Sequence, residues 1–180
     1  MVTTARGLAL EHFRWINGHA DVWAIFRDAK ALAAVVRGLV DPFRGEQITA
    51  ICGIESRGFL LGAAAAVELG VGFVPVRKSN GLFPGDKVKR VTDPDYRSLR
   101  HNLRLQRTSL GPGDRVLLVD DWIETGSQAV TAKSMVEECG ASWVGCSVIV
   151  DQLAEDSRLA LGTVRALLAA RELPACGPSA

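Results

Sequence analysis

Cysteine is scarce in this 180-residue chain, and the four that occur (Cys52, Cys139, Cys146 and Cys176) form no Cys-x-x-Cys pair. That spacing argues against a zinc site and a disulfide framework, and the mostly apolar neighbours predict reduced thiols in a core. Histidine is scarcer still, and His12 and His19 have no partner spacing that suits a metal. No apolar run approaches the roughly 18–20 residues that span a bilayer, and no signal peptide opens the chain. Net charge is only +1, so the overall balance points to neither nucleic acid nor a membrane surface. Internal repeats and low-complexity segments are lacking too. Together these absences predict a soluble, cytoplasmic protein.

What is present is apolar residue in quantity, 48% of the chain, enough for one domain over residues 1–180 with a full core. Residues 28–40 carry apolar side chains at helical spacing behind Asp28, which is placed to cap them. Residues 48–54 form a short apolar run, followed by a polar turn and an Ala-rich helical stretch over 59–69 that closes at Gly70. A strand is predicted at 72–77, another at 116–119, a helix from about 127 to 139, and strands at 143–150 and 164–168. Strands alternating with helices predict an α/β fold: a central parallel sheet covered on both faces, with ligands at the carboxyl ends of the strands. Residues 1–22 show no clear period and read as a packing arm, and the tail from Pro174 reads as loose.

The near-neutral total conceals a local excess. Between Arg77 and Arg107 nine Lys or Arg stand against three Asp, a local +6. The stretch also contains Gly81 and Pro84-Gly85, which break regular structure. A connection of this length in a compact domain reads either as a solvated surface loop or as a lid attracting a polyanion. Tyr96 lies within it, as lid cover or solvated residue.

Residues 115–129 organise the rest. An apolar strand stops at Asp120 and Asp121, and four residues later Thr125-Gly126-Ser127 opens a helical segment. Carboxylates can accept hydrogen bonds from sugar hydroxyls, and the N–H groups of a helix N-terminus can hold a phosphate. An ordinary N-cap at Thr125 or Ser127 beside a solvated strand end is the plainer alternative.

The same stretch resembles the phosphoribosyl pyrophosphate signature of type I phosphoribosyltransferases. Three further stretches are similar to adenine phosphoribosyltransferases: Phe26-Arg27-Asp28, Gly53-Ile54-Glu55-Ser56-Arg57-Gly58-Phe59, and Val76-Arg77-Lys78 followed by Pro84-Gly85. The resemblance spans about residues 22–170. It implies a small hood, a flexible active-site loop, and transfer of a phosphoribosyl group to a purine with release of pyrophosphate. It implies further that Asp120 and Asp121 engage the ribose hydroxyls and, through water, a Mg2+ ion. Glu124, Thr125, Gly126, Ser127 and Gln128 would hold the 5′-phosphate; Glu55, Ser56, Arg57, Arg77 and Lys78 the pyrophosphate; and Arg27 would lie against the nucleobase. Relatives are commonly homodimers.

The chain departs from that pattern in places. The adenine members end their mobile loop in Leu-Glu-Ile-Gln, and the resemblance gives that Glu the acid–base step. Here the stretch is Leu103-Arg104-Leu105-Gln106, and arginine stays protonated. Glu124, just before Thr-Gly, is the carboxylate that could take over; a helix-capping or solvent-facing role is its plainer reading. Ser127-Gln128 replaces the family's usual Gly-Thr. Trp122 and Trp143 read as packing residues. Two other readings remain open: a nucleotide-sensing regulator of the same fold, and a transferase for a modified base or an unusual phosphosugar diphosphate.

Overall fold

A computed structural model of the protein describes residues 4–78 and 81–176. Part of the expected loose tail, 177–180, and Ser79 and Asn80 of the basic segment lie outside the described residues.

The chain opens with α1 (Ala5–His12), a small antiparallel hairpin of β1 (Arg14–Ile16) and β2 (His19–Asp21), and the short α2 (Trp23–Arg27). Residues 4–22 thus form a helix and a hairpin where periodicity showed only a packing arm. Three-residue strands are too short to leave an alternating pattern. Next come α3 (Ala29–Val40), β3 (Ala50–Ile54), α4 (Arg57–Leu69) and β4 (Gly72–Lys78). Asp28 caps α3 as expected, its Oδ1 accepting from the Ala31 amide at 2.8 Å. After β5 (Lys87–Val91) and β6 (Asn102–Gln106) come β7 (Arg115–Ile123), α5 (Ser127–Glu138), β8 (Ser142–Asp151), α6 (Glu155–Leu161) and β9 (Val164–Ala169).

Seven strands form one sheet in the order β5-β6-β4-β3-β7-β8-β9. From β4 to β9 all neighbours are parallel; β6 and β5 add antiparallel at the edge. The basic segment is therefore not a bare lid. Much of it is a two-stranded ribbon that continues the sheet, and the irregular part between β5 and β6 is what overhangs the strand ends.

Each face of the sheet buries its own core. On one side α5 packs Ala132, Met135 and Val136 against Cys52, Leu118 and Cys146. On the other, α3, α4 and α1 cover Ile51, Leu117, Val119 and Ile149. Such two-sided burial explains why the central strands read as continuous apolar runs. The buried Ser147 hydroxyl donates to the Leu39 carbonyl at 2.6 Å, tying α3 to β8. No helix among the described residues is long and apolar enough to cross a membrane.

Candidate active site

The carboxyl ends of β3, β4 and β7 open on a cleft of about 860 Å³, with the hairpin and the β5–β6 connection as its other walls. Most of the residues singled out from sequence line it: Glu55, Ser56 and Arg57 after β3, Lys78 at the end of β4, Asp120 and Asp121 near the end of β7, which runs on past them, and 124–128 after it.

Two glycines set the floor. At Gly53 an added Cβ would lie 2.0 Å from the Gly58 carbonyl oxygen, so β3 and the first turn of α4 touch backbone to backbone. At Gly58 a Cβ would lie 2.9 Å from the carboxylate atoms of Asp120. That approach lets Asp120 sit half-buried against the start of α4. Gly58→Ala must push the carboxylate aside, and a misplacement of this kind lowers turnover on the order of 10–100-fold. Steady-state rates beside an unchanged melting curve would check it.

Burial pushes the Asp120 carboxyl well above the usual carboxylate range, and the neighbouring Asp121 charge adds to this. The Asp121 amide donates to Asp120 Oδ1 at 2.9 Å. Asp121 is 6% exposed and paired with the Arg57 guanidinium, Nε to Oδ2 at 3.0 Å, but that N–H is not aimed for a hydrogen bond and Oδ2 has no other donor among the described residues. Arg57 also lies over the Trp23 ring at 5.8 Å. Lys78 is lowered by burial, opposed by the two aspartates. The aspartate pair thus keeps acceptor capacity to spare next to cations, as a hydroxylated, phosphorylated ligand requires.

Beyond β7 the loop turns at Gly126, whose φ of 79° is left-handed and whose missing side chain leaves room for Leu153 and Ser157. The plainer alternative, a side-chain cap from Thr125 or Ser127, is absent: Gly126 is the N-cap residue, and Thr125 Oγ1 accepts the Ser127 amide at 3.3 Å. The amides of Gln128 and Ala129 have no protein acceptor among the described residues. Ser157 on α6 fixes the loop, donating to the Thr125 carbonyl at 2.8 Å. Open amides at the N-terminus of a 12-residue helix form an anion seat.

Glu124 lines the same cleft, and its carboxyl is raised by partial burial and by the Asp95 charge. Asp95 was missed in the sequence. It lines the cleft from the β5–β6 connection, together with Tyr96 and Arg97. Its carboxylate accepts from the amides of Arg97 at 2.9 Å and Leu99 at 3.0 Å, and meets His101 Nε2 at 3.0 Å. The His101 bond and the two amides hold it well below the usual range. The only local clue was Asp-Pro-Asp, which reads as an ordinary turn.

Because the folded-state carboxyl is depressed, the stabilisation this clamp gives is present above the ordinary Asp value of about 3.9 and is lost as pH falls below it. The Arg97 and Leu99 amides should exchange hydrogen much faster below about pH 3 than near neutrality, after correction for intrinsic rate. Asp95→Asn should reproduce that loosening at neutral pH. Unchanged protection in both cases would contradict the clamp.

Two expected residues are not among those lining the cleft. Arg27 is exposed on α2. Arg77 turns toward Glu55 at 3.4 Å, the Leu82 carbonyl at 2.8 Å and the Phe83 ring. Glu55 also accepts the Lys78 amide at 2.9 Å, so it braces the two strand ends. Arg104 sits opposite Arg77 in the β4–β6 register and lies over the same Phe83 ring. In this arrangement position 104 does not face the cleft, and the lid carboxylate that does is Asp95.

The aromatic end of the lining is formed by Trp15 and Trp122, ring centroids 6.4 Å apart, with Val22 and with Gln152, which Trp122 hydrogen-bonds. Trp122 is thus both packing and lining, whereas Trp143 packs against the α5 core, its Nε1 donating to the Leu161 carbonyl at 3.0 Å.

Comparison with known proteins finds the family model "Phosphoribosyl transferase domain" matching residues 22–160. The chain is 44% identical over 141 residues to an adenine phosphoribosyltransferase of Methylococcus capsulatus, covering 78% of this chain and 81% of that one. It is 41% identical over 150 residues to one from Nitrosococcus oceani, with coverages of 82% and 86%. Among solved structures, the Trypanosoma brucei enzyme in complex with AMP, pyrophosphate and ribose-5-phosphate superposes with TM-score 0.85 at 26% identity, over 97% of this chain and 84% of that chain. The Giardia lamblia enzyme complexed with 9-deazaadenine gives 0.82 at 29%, over 92% and 97%.

Proposed function

The chain belongs to the phosphoribosyltransferase family and is an enzyme of it, and from that premise we propose that its cleft joins adenine to the anomeric carbon of phosphoribosyl pyrophosphate. One observation carries the reading: an adjacent aspartate pair, Asp121 buried and Asp120 half-buried, lines one cleft with an open helix N-terminus, the cations Arg57 and Lys78 and the rings of Trp15 and Trp122. The relatives are named as transferases, which favours catalysis over a nucleotide-sensing regulator.

The open amides of Gln128 and Ala129, with the Thr125 and Ser127 hydroxyls, take the 5′-phosphate. Asp120 and Asp121 accept from the ribose hydroxyls. As the bond from the anomeric carbon to the diphosphate oxygen breaks, that oxygen leaves with the electron pair and the ring becomes cation-like. Carboxylates fixed beside it then strengthen their hold, while Arg57 and Lys78 meet the growing negative charge of the leaving group. Arg77, behind Glu55, keeps the Lys78 strand end in place. A ring nitrogen of the base forms the new bond, and its proton passes to Glu124.

Mg2+ fits this donor set. Among the described residues no group of three or more His, Cys, Asp or Glu forms a protein cage, and Mg2+ prefers phosphate oxygens and water beside one or two carboxylates. Asp120 and Asp121 would hold it through its water shell, and Asp121 has one oxygen with no hydrogen-bond donor among the described residues. When bound, it would supply positive charge against the diphosphate.

Residues 1–180 work as one unit in this reading, as a cytoplasmic homodimer. Four free thiols suit a reducing compartment, and Leu60 and Val67, exposed two turns apart on α4, offer an apolar strip for a second copy. Mixing the protein with phosphoribosyl pyrophosphate, Mg2+ and adenine should yield AMP, and light scattering should give twice the chain mass. Failure to form any nucleotide would refute the transferase reading.

A further inference from the structure

We infer that Gln152 is a specificity-determining residue for the incoming base, its side-chain NH2 donating to an acceptor on the edge of the heterocycle. The inference rests on the aromatic end of the cleft being the base pocket. An amide side chain can present either its oxygen or its nitrogen, and a flipped amide reads the opposite chemistry. Here the choice is made by a neighbour. Trp122 Nε1 donates to Gln152 Oε1 at 3.2 Å, and an indole N–H can only donate. The oxygen is therefore taken, and the two hydrogens on Nε2, which have no protein acceptor among the described residues, are left for a ligand.

Gln152 is exposed, and what fixes its donor is the hold on its backbone and on its hydrogen-bond partner. The Gln152 amide donates to the Ile123 carbonyl at 2.8 Å, fixing its backbone to the end of β7. The Trp122 ring lies 6.4 Å, centroid to centroid, from both Phe13 and Trp15, and Trp15 is anchored by its own Nε1 on the Pro174 carbonyl at 2.7 Å. Gln152 and Trp122 both line the cleft. A flat heterocycle entering beside these rings meets a fixed pair of N–H groups at its edge. A ring nitrogen or carbonyl there is accepted; a C–H or N–H is not.

Gln152→Leu and Trp122→Phe separate this from a packing role. The probes are adenine and its 1-, 3- and 7-deaza analogues, each with one acceptor nitrogen replaced by C–H. With the unaltered enzyme, one analogue should lose on the order of tenfold in kcat/KM. Gln152→Leu should lose about the same factor with adenine, yet show no further loss with that analogue. Trp122→Phe keeps the amide but frees it to flip, so discrimination between adenine and that analogue should shrink. Gln152→Leu turning over adenine at the original rate, or losing one common factor with adenine and every analogue, would overturn the inference while leaving the transferase reading intact. No turnover of any base by the unaltered enzyme would remove both.

Discussion

Replacing Glu124 with Gln lowers turnover by between about 10² and 10⁴ and flattens the acid side of the pH profile. The incoming ring nitrogen sheds a proton as it bonds to the anomeric carbon, so the residue receiving it must be an unprotonated carboxylate in the ground state. Glu124 has the position, in the cleft wall just before the phosphate loop. It also has the basicity, raised by partial burial and by the Asp95 charge. Asp95 is the competing carboxylate, but its lone pairs are taken by Arg97, Leu99 and His101, and it is held low, which makes it a poor base. A base with a raised pKa gives an acid limb in kcat/KM lying above the ordinary Glu value of about 4.3. The substituted amide keeps the shape of the side chain and removes the limb. If the limb survived the substitution at similar rate, Asp120, also raised, would be the titrating group instead.

Gly53→Ala destabilises the protein by about 3 kcal/mol and unsettles the active site with it. The added methyl would sit 2.0 Å from the Gly58 oxygen and 2.6 Å from its carbonyl carbon, both backbone atoms, with the Phe73 ring 3.2 Å away. None of these can turn aside as a flexible side-chain tip could. β3 and the start of α4 must part, and the α4 start is what presses on Asp120. For a domain of this size the loss corresponds to a fall of roughly 6–12 °C in Tm. Gly72→Ala is the control: nothing lies within 4 Å of its added methyl, so the melting curve should barely move. Equal behaviour of the two variants would contradict the close approach.

The central sheet was legible because strands buried on both faces write themselves as apolar runs, and α3 wrote its amphipathic period behind Asp28. The residues around Asp120 were legible because acids, turn and helix start follow one another in sequence. What the sequence concealed depends on contacts between distant segments. β1 and β2 are too short for a period. The strands β5 and β6 are charged along one face, which made a ribbon look like a lid. Arg27 and Arg77 were drawn into the site by neighbours in the chain, although one is exposed and the other faces Phe83. Asp95 and Gln152 carry no motif: one lines the cleft through a local clamp on His101, the other through a hydrogen bond from an indole 30 positions earlier.

The most direct test of transfer at this cleft is to supply phosphoribosyl pyrophosphate and Mg2+ with adenine, guanine, hypoxanthine or xanthine in turn, and to count nucleotide and diphosphate together. Adenine should give the fastest reaction, with one AMP formed for each diphosphate released. Diphosphate released without nucleotide, or no reaction with any of the four bases, would contradict it.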